Sequence, residues 1–240
     1  RQYREGDDVR KIDWNVTARM NVPYVRETHA ERELNVIVAL DLSRSMAFGT
    51  GSHTKKDRLL FIAACLVFSA VADQVNTGFL AFSDRVLTYQ PPRRARARAW
   101  SMLDDLWALT PDGKATAILP AARYLSDHLK AMSIVFLVSD FLTTEDLGGS
   151  NALKALAVRH DVIGVVLQDP AELALPSGGG AAVTLQDLES GRHTRVRLTR
   201  RLRQEYASAV DRRRRDLVDM FYRMQMDHVF LRSDQDVVEP

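Results

Sequence analysis

The clearest pattern along the chain is the alternation of short apolar runs with longer amphipathic segments. From Leu34 onward, runs rich in Val, Ile and Leu recur between segments of helical period. Short apolar runs are typical of strands buried on both faces, and the longer segments are typical of helices that cover a sheet. The alternation predicts an α/β fold, with a doubly wound, mostly parallel sheet and helices on both faces.

The predicted elements follow one another in a regular order. Strands are expected at 35–40, 78–82, 133–139, 162–167 and 228–231, with a short antiparallel strand at 85–89. Helices are expected at 57–74, 94–107, 117–130, 151–160 and 201–226. Segments 182–188 and 194–198, separated by polar residues and a glycine, predict a hairpin insertion near 182–198. We therefore expect one domain over residues 34–240.

Residues 1–33 have a different character. They are dense in charge and carry turn-forming residues near 6–8 and 21–23. We interpret this segment as an arm packed on the domain rather than as a second domain. Asp7, Asp8, Arg10 and Trp14 are candidate partner-binding residues, since Trp and Arg are favoured at the centres of interfaces. The alternative is a solvated or internally salt-bridged arm.

Composition narrows the classes of function. The chain has 240 residues, 46% of them hydrophobic, which supports a sizeable core, and its formal net charge of +2 is not that of a dedicated nucleic-acid binder. The one cysteine, Cys65, excludes an internal disulfide and a cysteine zinc site, and we expect it to be buried in a helix. The longest nearly apolar stretch, 59–72, is too short to span a bilayer. With no visible signal peptide, we predict a cytoplasmic location, and we interpret a chain that begins at Arg1 as a fragment.

Candidate chemistry begins directly after the first strand. Asp41, Ser43 and Ser45 bring a carboxylate and two hydroxyls into one short loop at the carboxyl end of that strand. Ligands bind at this edge of open α/β sheets. Oxygen ligands without a thiolate or imidazole suit a hard divalent cation. The loop therefore predicts a site for Mg²⁺, or for Mn²⁺ or Ca²⁺.

Two later residues complete this predicted site. Asp140 follows the strand 133–139, so its carboxylate is expected at the same edge as Asp41. Thr116 precedes a helix, where its hydroxyl could turn toward the ion or cap that helix. The result is a set of two acids and three hydroxyls. Because hydroxyls are neutral, a bound ion would keep much of its charge and attract a carboxylate from a partner.

This set of residues, in this order on an α/β pattern, resembles the metal-ion-dependent adhesion site of von Willebrand factor A domains. The segments Tyr3–Trp14, Thr17–Arg19, Glu31–Glu33 and Asp41–Met46 are similar, more specifically, to a bacterial von Willebrand A-like family catalogued as domain of unknown function 58. The resemblance covers nearly the whole chain. It implies a von Willebrand factor A-like, Rossmann-like fold and a non-enzymatic protein-binding module.

The same resemblance implies particular partners. Members of the family are commonly encoded beside MoxR-type AAA+ ATPases. We therefore expect an adaptor or chaperone-linked role, in which the partner is such an ATPase, or a client protein that supplies an Asp or Glu to the metal, or both. We expect no nucleic-acid partner.

Two rival functions remain open at this stage. In a magnesium-dependent aspartyl-phosphate phosphatase, Asp41 would be the nucleophile and Asp140 would help to hold the ion. Such enzymes use an acid two residues after the nucleophile, where this chain has Ser43. A nucleic-acid-binding module would use two arginine clusters, near 93–98 and at 212–215, but few aromatic residues interleave with them.

Overall fold

The computed structural model describes residues 2–25, 34–94, 98–109, 115–177, 182–186 and 193–235. The chain divides into two compact units, Arg1–Glu33 and Leu34–Pro240. The strands of the second unit are β1 (Asn35–Asp41), β2 (Asn76–Phe82), β3 (Val86–Arg93), β4 (Ser133–Ser139), β5 (Asp161–Gln168), β6 (Ala182–Gln186), β7 (His193–Arg197) and β8 (Asp227–Arg232).

Six of these strands form one twisted sheet in the order β3-β2-β1-β4-β5-β8. All neighbouring pairs are parallel except β2 with β3, which is antiparallel. The sheet class predicted from the sequence is therefore confirmed. Strand β3 extends beyond the predicted 85–89 and includes Pro91 and Pro92, which an edge strand tolerates because one side of its backbone has no partner strand.

One short helix belongs to the first unit, and the others lie between the strands of the second unit along the sequence. The helices are α1 (Trp14–Met20), α2 (Lys55–Ala72), α3 (Arg98–Ala108), α4 (Ile118–His128), α5 (Asn151–Arg159), α6 (Pro170–Leu173) and α7 (Arg200–Arg223). The five predicted helices are present, with ends that differ by at most four residues. The short helices α1 and α6 were not predicted. Strands β6 and β7 pair as a separate two-stranded hairpin, and the residues that join them, 187–192, lie outside the described part of the chain.

Two apolar layers hold the helices against the sheet. In β1, Val38 and Leu40 face one layer together with Leu59 of α2, whereas Ile37 faces the other layer together with Phe221 of α7. Adjacent strand residues point to opposite faces, so a run of seven buried residues in β1 feeds both layers. Strand β1 is therefore a central strand of the sheet that is covered on both faces, and its carboxyl end lies between those of β2 and β4.

The expectation that Cys65 is buried was wrong, because its side chain is exposed. Helix α2 turns Leu59, Ile62, Ala63, Val67 and Ala70 inward. Cys65 belongs to the opposite stripe of the helix with Phe61 and Phe68, which are 40% and 38% exposed. Phe68 contacts Trp100 of α3 edge to face, with ring centroids 4.9 Å apart. Apolar residues therefore lie on both the buried and the exposed face of α2, and the sequence pattern alone does not show which of them are buried.

The first unit contains local capping and two bridges. Asp8 accepts from the backbone N of Arg10, and Asp7 accepts from the backbone N of Arg4. Asp13 caps α1, and two isolated bridges join residues 2 with 24 and 12 with 25. Trp14 is 67% exposed. The predicted packing of this arm on the domain, and its predicted role in partner binding, stay predictions.

Candidate metal site

The site begins where β1 ends. The pairing of Leu40 with Val138 sets Asp41 opposite Ser139, at the carboxyl edge of two adjacent parallel strands. Ser139 donates from Oγ to Asp41 Oδ2 at 2.6 Å. All five residues predicted from the sequence are buried, with exposed fractions between 0% and 5% (Asp41, Ser43, Ser45, Thr116 and Asp140).

Hydrogen bonds shape the loop after β1. The backbone N of Ser43 donates to Asp41 Oδ1 at 2.8 Å, which folds the loop back over the strand end. A 3-10 helix, Arg44–Ala47, follows and brings Ser45 beside Ser43. The two hydroxyl oxygens lie 3.0 Å apart. The carboxylate and the hydroxyls that the sequence analysis singled out therefore meet in one small volume.

The separation of these oxygens permits a test of the fit to magnesium. In an octahedral site with ligands at about 2.0–2.1 Å, neighbouring oxygens lie about 2.9 Å apart. The Ser43 and Ser45 hydroxyls form a hydrogen bond at 3.0 Å, and two ligands of one octahedral ion would keep about the same separation. Within the described residues no group of three or more His, Cys, Asp or Glu could hold a metal, so a site here would depend on hydroxyls. The donor set fits a hard cation.

Thr116 reaches the same edge through the neighbouring strand. Leu42 donates from its backbone N to Phe82 at the end of β2, and Ala117 donates to the next residue, Ser83, at 2.8 Å. These bonds hold the segment before α4 beside the loop after β1. The N-cap residue of α4 is Ala117 and not Thr116, and Glu145 Oε2 accepts from the first two backbone N–H groups of the helix. The capping alternative for Thr116 is therefore wrong.

The electrostatics of the site disfavour the ionised form of Asp41. Burial, and then the negative charge of Asp140, raise the pKa of Asp41 to about 7, against the hydrogen bonds from Ser139 and Ser43 that lower it. Asp140 accepts from the backbone N of Leu142 at Oδ1. Because the charge of Asp140 disfavours ionisation of Asp41, a cation beside Asp41 would favour its ionised form.

A buried lysine that the sequence analysis missed lies next to these acids. The ammonium of Lys55 is fully buried and donates to Asp140 Oδ2 at 2.7 Å and to Glu172 Oε1 at 2.6 Å. Burial would lower the pKa of Lys55, but the two carboxylates outweigh that effect and raise it. No local pattern marks this lysine, because its partners lie 85 and 117 residues away in sequence.

A third buried carboxylate, that of Asp169, holds the loop after β1 from the side of β5. Asp169 accepts from the hydroxyl and the backbone N of Thr50, at 2.6 and 3.0 Å, and from the hydroxyl of Ser233 at 2.8 Å. It also forms a capping box with Glu172 at the start of α6. Although burial opposes them, these hydrogen bonds lower the pKa of Asp169. The spacing of an acid, Pro and Glu at 169–172 is the signal that could have predicted this cap.

The arginine clusters are partly engaged within the molecule. Arg213 donates to the backbone carbonyl of Phe141 at 2.9 Å, and the guanidinium of Arg214 lies 4.5 Å from the centre of the Phe230 ring. Arg96 lies outside the described residues, and so does the side chain of Arg98. All four arginines at 212–215 are exposed, and two of them also contact other groups of the domain.

Comparison with known proteins agrees with this architecture. The structure is similar to BatB from Bacteroides thetaiotaomicron (TM-score 0.54, 19% identity, 85% of this chain and 91% of that chain). It is also similar to an aerotolerance-related membrane protein from Bacteroides fragilis (TM-score 0.54, 18% identity, 84% and 92%). The fold is a von Willebrand factor A-like α/β domain. No helix in the described ranges is both long and apolar enough to cross a membrane.

The sequence comparisons identify the family. The model of the family described as protein of unknown function DUF58 matches residues 1–216, and the chain belongs to that family. Uncharacterized proteins of Mycobacterium tuberculosis (Rv1480) and Mycobacterium bovis (Mb1516) are each 32% identical to this chain over 238 residues. The matches cover 98% of this chain and 74% of each relative.

Proposed function

We propose that this domain is a non-enzymatic protein-binding module that uses a divalent cation, Mg²⁺ or one of the related ions Mn²⁺ and Ca²⁺. The observation that carries the proposal is the buried loop in which Asp41, Ser43 and Ser45 converge beside Asp140 at the carboxyl edge of the sheet. Asp41, Ser43, Ser45 and Thr116 would contact the ion or its waters. Asp140 would act directly or through water.

The role of the ion follows from the charges around it. Lys55 neutralises much of the charge of Asp140, so the carboxylate of Asp41 alone cannot cancel a divalent cation. A loaded site would keep positive charge and would attract an acidic side chain of another protein. When bound, the ion supplies an electrophilic position for that carboxylate. The protein holds the loop in place and keeps bulk water away from it.

The partner is proposed from the family resemblance. A MoxR-type AAA+ ATPase, or a client protein that it acts on, would present an Asp or Glu to the site, and the domain would serve as an adaptor. The cytoplasmic location stays a prediction. No specific observation favours the phosphatase alternative, because Ser43 occupies the place of the required acid and cannot supply a proton near neutral pH.

The test is binding of a purified MoxR-type ATPase to the immobilised domain in Mg²⁺ and in EDTA. We expect binding that is lost in EDTA and in Asp41→Ala. Asp161→Ala is the matched control, since Asp161 is an exposed acid at the start of β5, on the opposite edge of the sheet. Equal binding by wild type, Asp41→Ala and chelated protein would contradict the proposal.

A further inference from the structure

The most unusual charged residue of the fold is Lys55. Its side chain is fully buried in the first turn of α2, directly after the N-cap residue Thr54. A cation at the N-terminus of a helix is disfavoured by the helix dipole. A buried ammonium is costly unless carboxylates surround it. The position of Lys55 is therefore maintained by Asp140 and Glu172 and not by the helix that carries it.

The pairing with Lys55 changes what Asp140 offers to a cation. One carboxylate oxygen of Asp140 accepts from the ammonium, and the other accepts from the backbone N of Leu142 at 2.9 Å. An incoming ion would meet a carboxylate that is already hydrogen-bonded at both oxygens and partly neutralised. It would also be repelled by the ammonium across a site with little water to screen the charges.

Glu172 does not remove this effect. It shares the ammonium through Oε1, but its side chain is 23% exposed, so water also compensates its charge. Its other oxygen, Oε2, accepts from the backbone N of Asp169 as part of the cap of α6. Asp140, whose side chain is 1% exposed, depends far more on the lysine. Asp140 is therefore the carboxylate whose charge is compensated mainly by Lys55.

We propose that Lys55 sets the metal affinity of the candidate site by holding Asp140 as its own counter-ion and keeping it out of direct coordination. The inference rests on the proposed function, because it concerns the same cation. A site with one unpaired acid holds its ion weakly at rest. The missing negative charge would come from the carboxylate of the partner, which couples metal retention to partner binding.

The test is a Mn²⁺ titration by calorimetry of the whole chain at pH 8, where the metal alone is the probe. Lys55→Met removes the ammonium and frees Asp140, so we expect binding at least about tenfold tighter than in wild type. Lys56→Met is the matched control. Lys56 is the next residue of α2, and its ammonium donates to the backbone carbonyl of Leu109 instead of a carboxylate, so its loss should leave the affinity unchanged.

A double variant guards against loss of folding. Lys55→Met combined with Asp140→Asn replaces the buried pair by neutral groups, a change that folded proteins often tolerate. If Asp140 is not a direct ligand, the double variant binds Mn²⁺ within about threefold of wild type, since neither partner of the cancelled pair contributes much. A large loss of affinity in the double variant would overturn the inference, and so would unchanged or weaker binding in a folded Lys55→Met.

The outcomes separate this inference from the proposed function. If Mn²⁺ binds as predicted in all variants but the ATPase binds equally well in EDTA, then Lys55 has the assigned role and the adhesion function is wrong. If wild type binds Mn²⁺ and Lys55→Met gains nothing, only the role of Lys55 fails. Binding of Mn²⁺ by neither protein would overturn both. Binding by Lys55→Met alone would support the role of the lysine.

Discussion

Replacement of Asp41 by Asn should stabilise the metal-free protein at alkaline pH while it removes the candidate metal site. The carboxylate of Asp41 is fully buried, and its pKa is raised from 3.8 to about 7, first by burial and then by Asp140. A group whose pKa is raised on folding adds stability below its unfolded pKa, and that stability is lost as the pH rises through the folded pKa. The contribution of Asp41 to the stability of wild type is therefore lost between pH 3.8 and about pH 7.

The magnitude follows from the same shift. A difference of about three pKa units corresponds to about 4 kcal/mol that ionised Asp41 costs the folded protein above pH 7. Asn removes this cost but disturbs the hydrogen bond from Ser139, because the amide nitrogen of Asn donates and cannot accept. That change costs about 1–2 kcal/mol. We expect Asp41→Asn to be more stable than wild type by about 2–3 kcal/mol at pH 8, and by about zero near pH 5.

The assay is urea unfolding in EDTA at pH 5 and pH 8, followed by far-ultraviolet circular dichroism. In thermal unfolding followed by the same signal, the predicted gain at pH 8 corresponds to a rise in Tm of about 4–12 °C for a domain of this size. Asp169→Asn is the matched control. Asp169 is equally buried, but hydrogen bonds from Thr50, Ala171 and Ser233 lower its pKa, so its replacement should destabilise the protein at both pH values.

A loss of stability for Asp41→Asn at pH 8 in EDTA would refute the electrostatic reasoning. It would mean that the hydrogen bonds from Ser43 and Ser139 outweigh the repulsion by Asp140. A gain that is the same at pH 5 and pH 8 would also refute it, because the relief must follow the ionisation of the carboxylate.

Three further predictions concern the ion and the core. Saturating Mg²⁺ at pH 8, near 100 times the Kd, should stabilise wild type by about 2.7 kcal/mol in thermal unfolding, and EDTA or Asp41→Ala should abolish the shift. Thr116→Val should weaken Mn²⁺ binding about tenfold in calorimetry, whereas Thr144→Val, at an exposed threonine, should not. Gly164→Ala should lower the free energy of unfolding by about 1–3 kcal/mol in urea, since its methyl group would lie 2.6 Å from the Phe221 ring; an unchanged midpoint would contradict this.

The sheet could be predicted because each strand is marked by its own residues and by those directly next to it in sequence. Strand β4 matched its predicted bounds of 133–139, since a run of apolar residues ended by a serine and an acid carries its own boundaries. Helix α6 was missed because four residues hold no periodicity, although its capping box was visible in the sequence. Cys65 was misplaced because the outer face of α2 is itself apolar.

The convergence of the candidate ligands could be predicted from the sequence, but the charge balance around them could not. Asp41 and Asp140 follow strands of the same direction, so their convergence follows from the fold class alone. The contact of Lys55 with Asp140 depends on where a helix start meets a strand end 85 residues later. Neither helix propensity nor the hydrophobic pattern predicts that contact. In the sequence, a lysine that will be buried cannot be distinguished from one that will be solvated.

The exposure of the tryptophans determines how fluorescence can be used with this protein. All three of them, Trp14, Trp100 and Trp107, are about two-thirds exposed in the folded protein. Because most of each indole is already exposed to water, we expect the emission to change little when the chain unfolds. The same property makes them sensitive reporters of docking, because a protein that covers α3 would dry Trp100 and Trp107 and shift their emission to the blue.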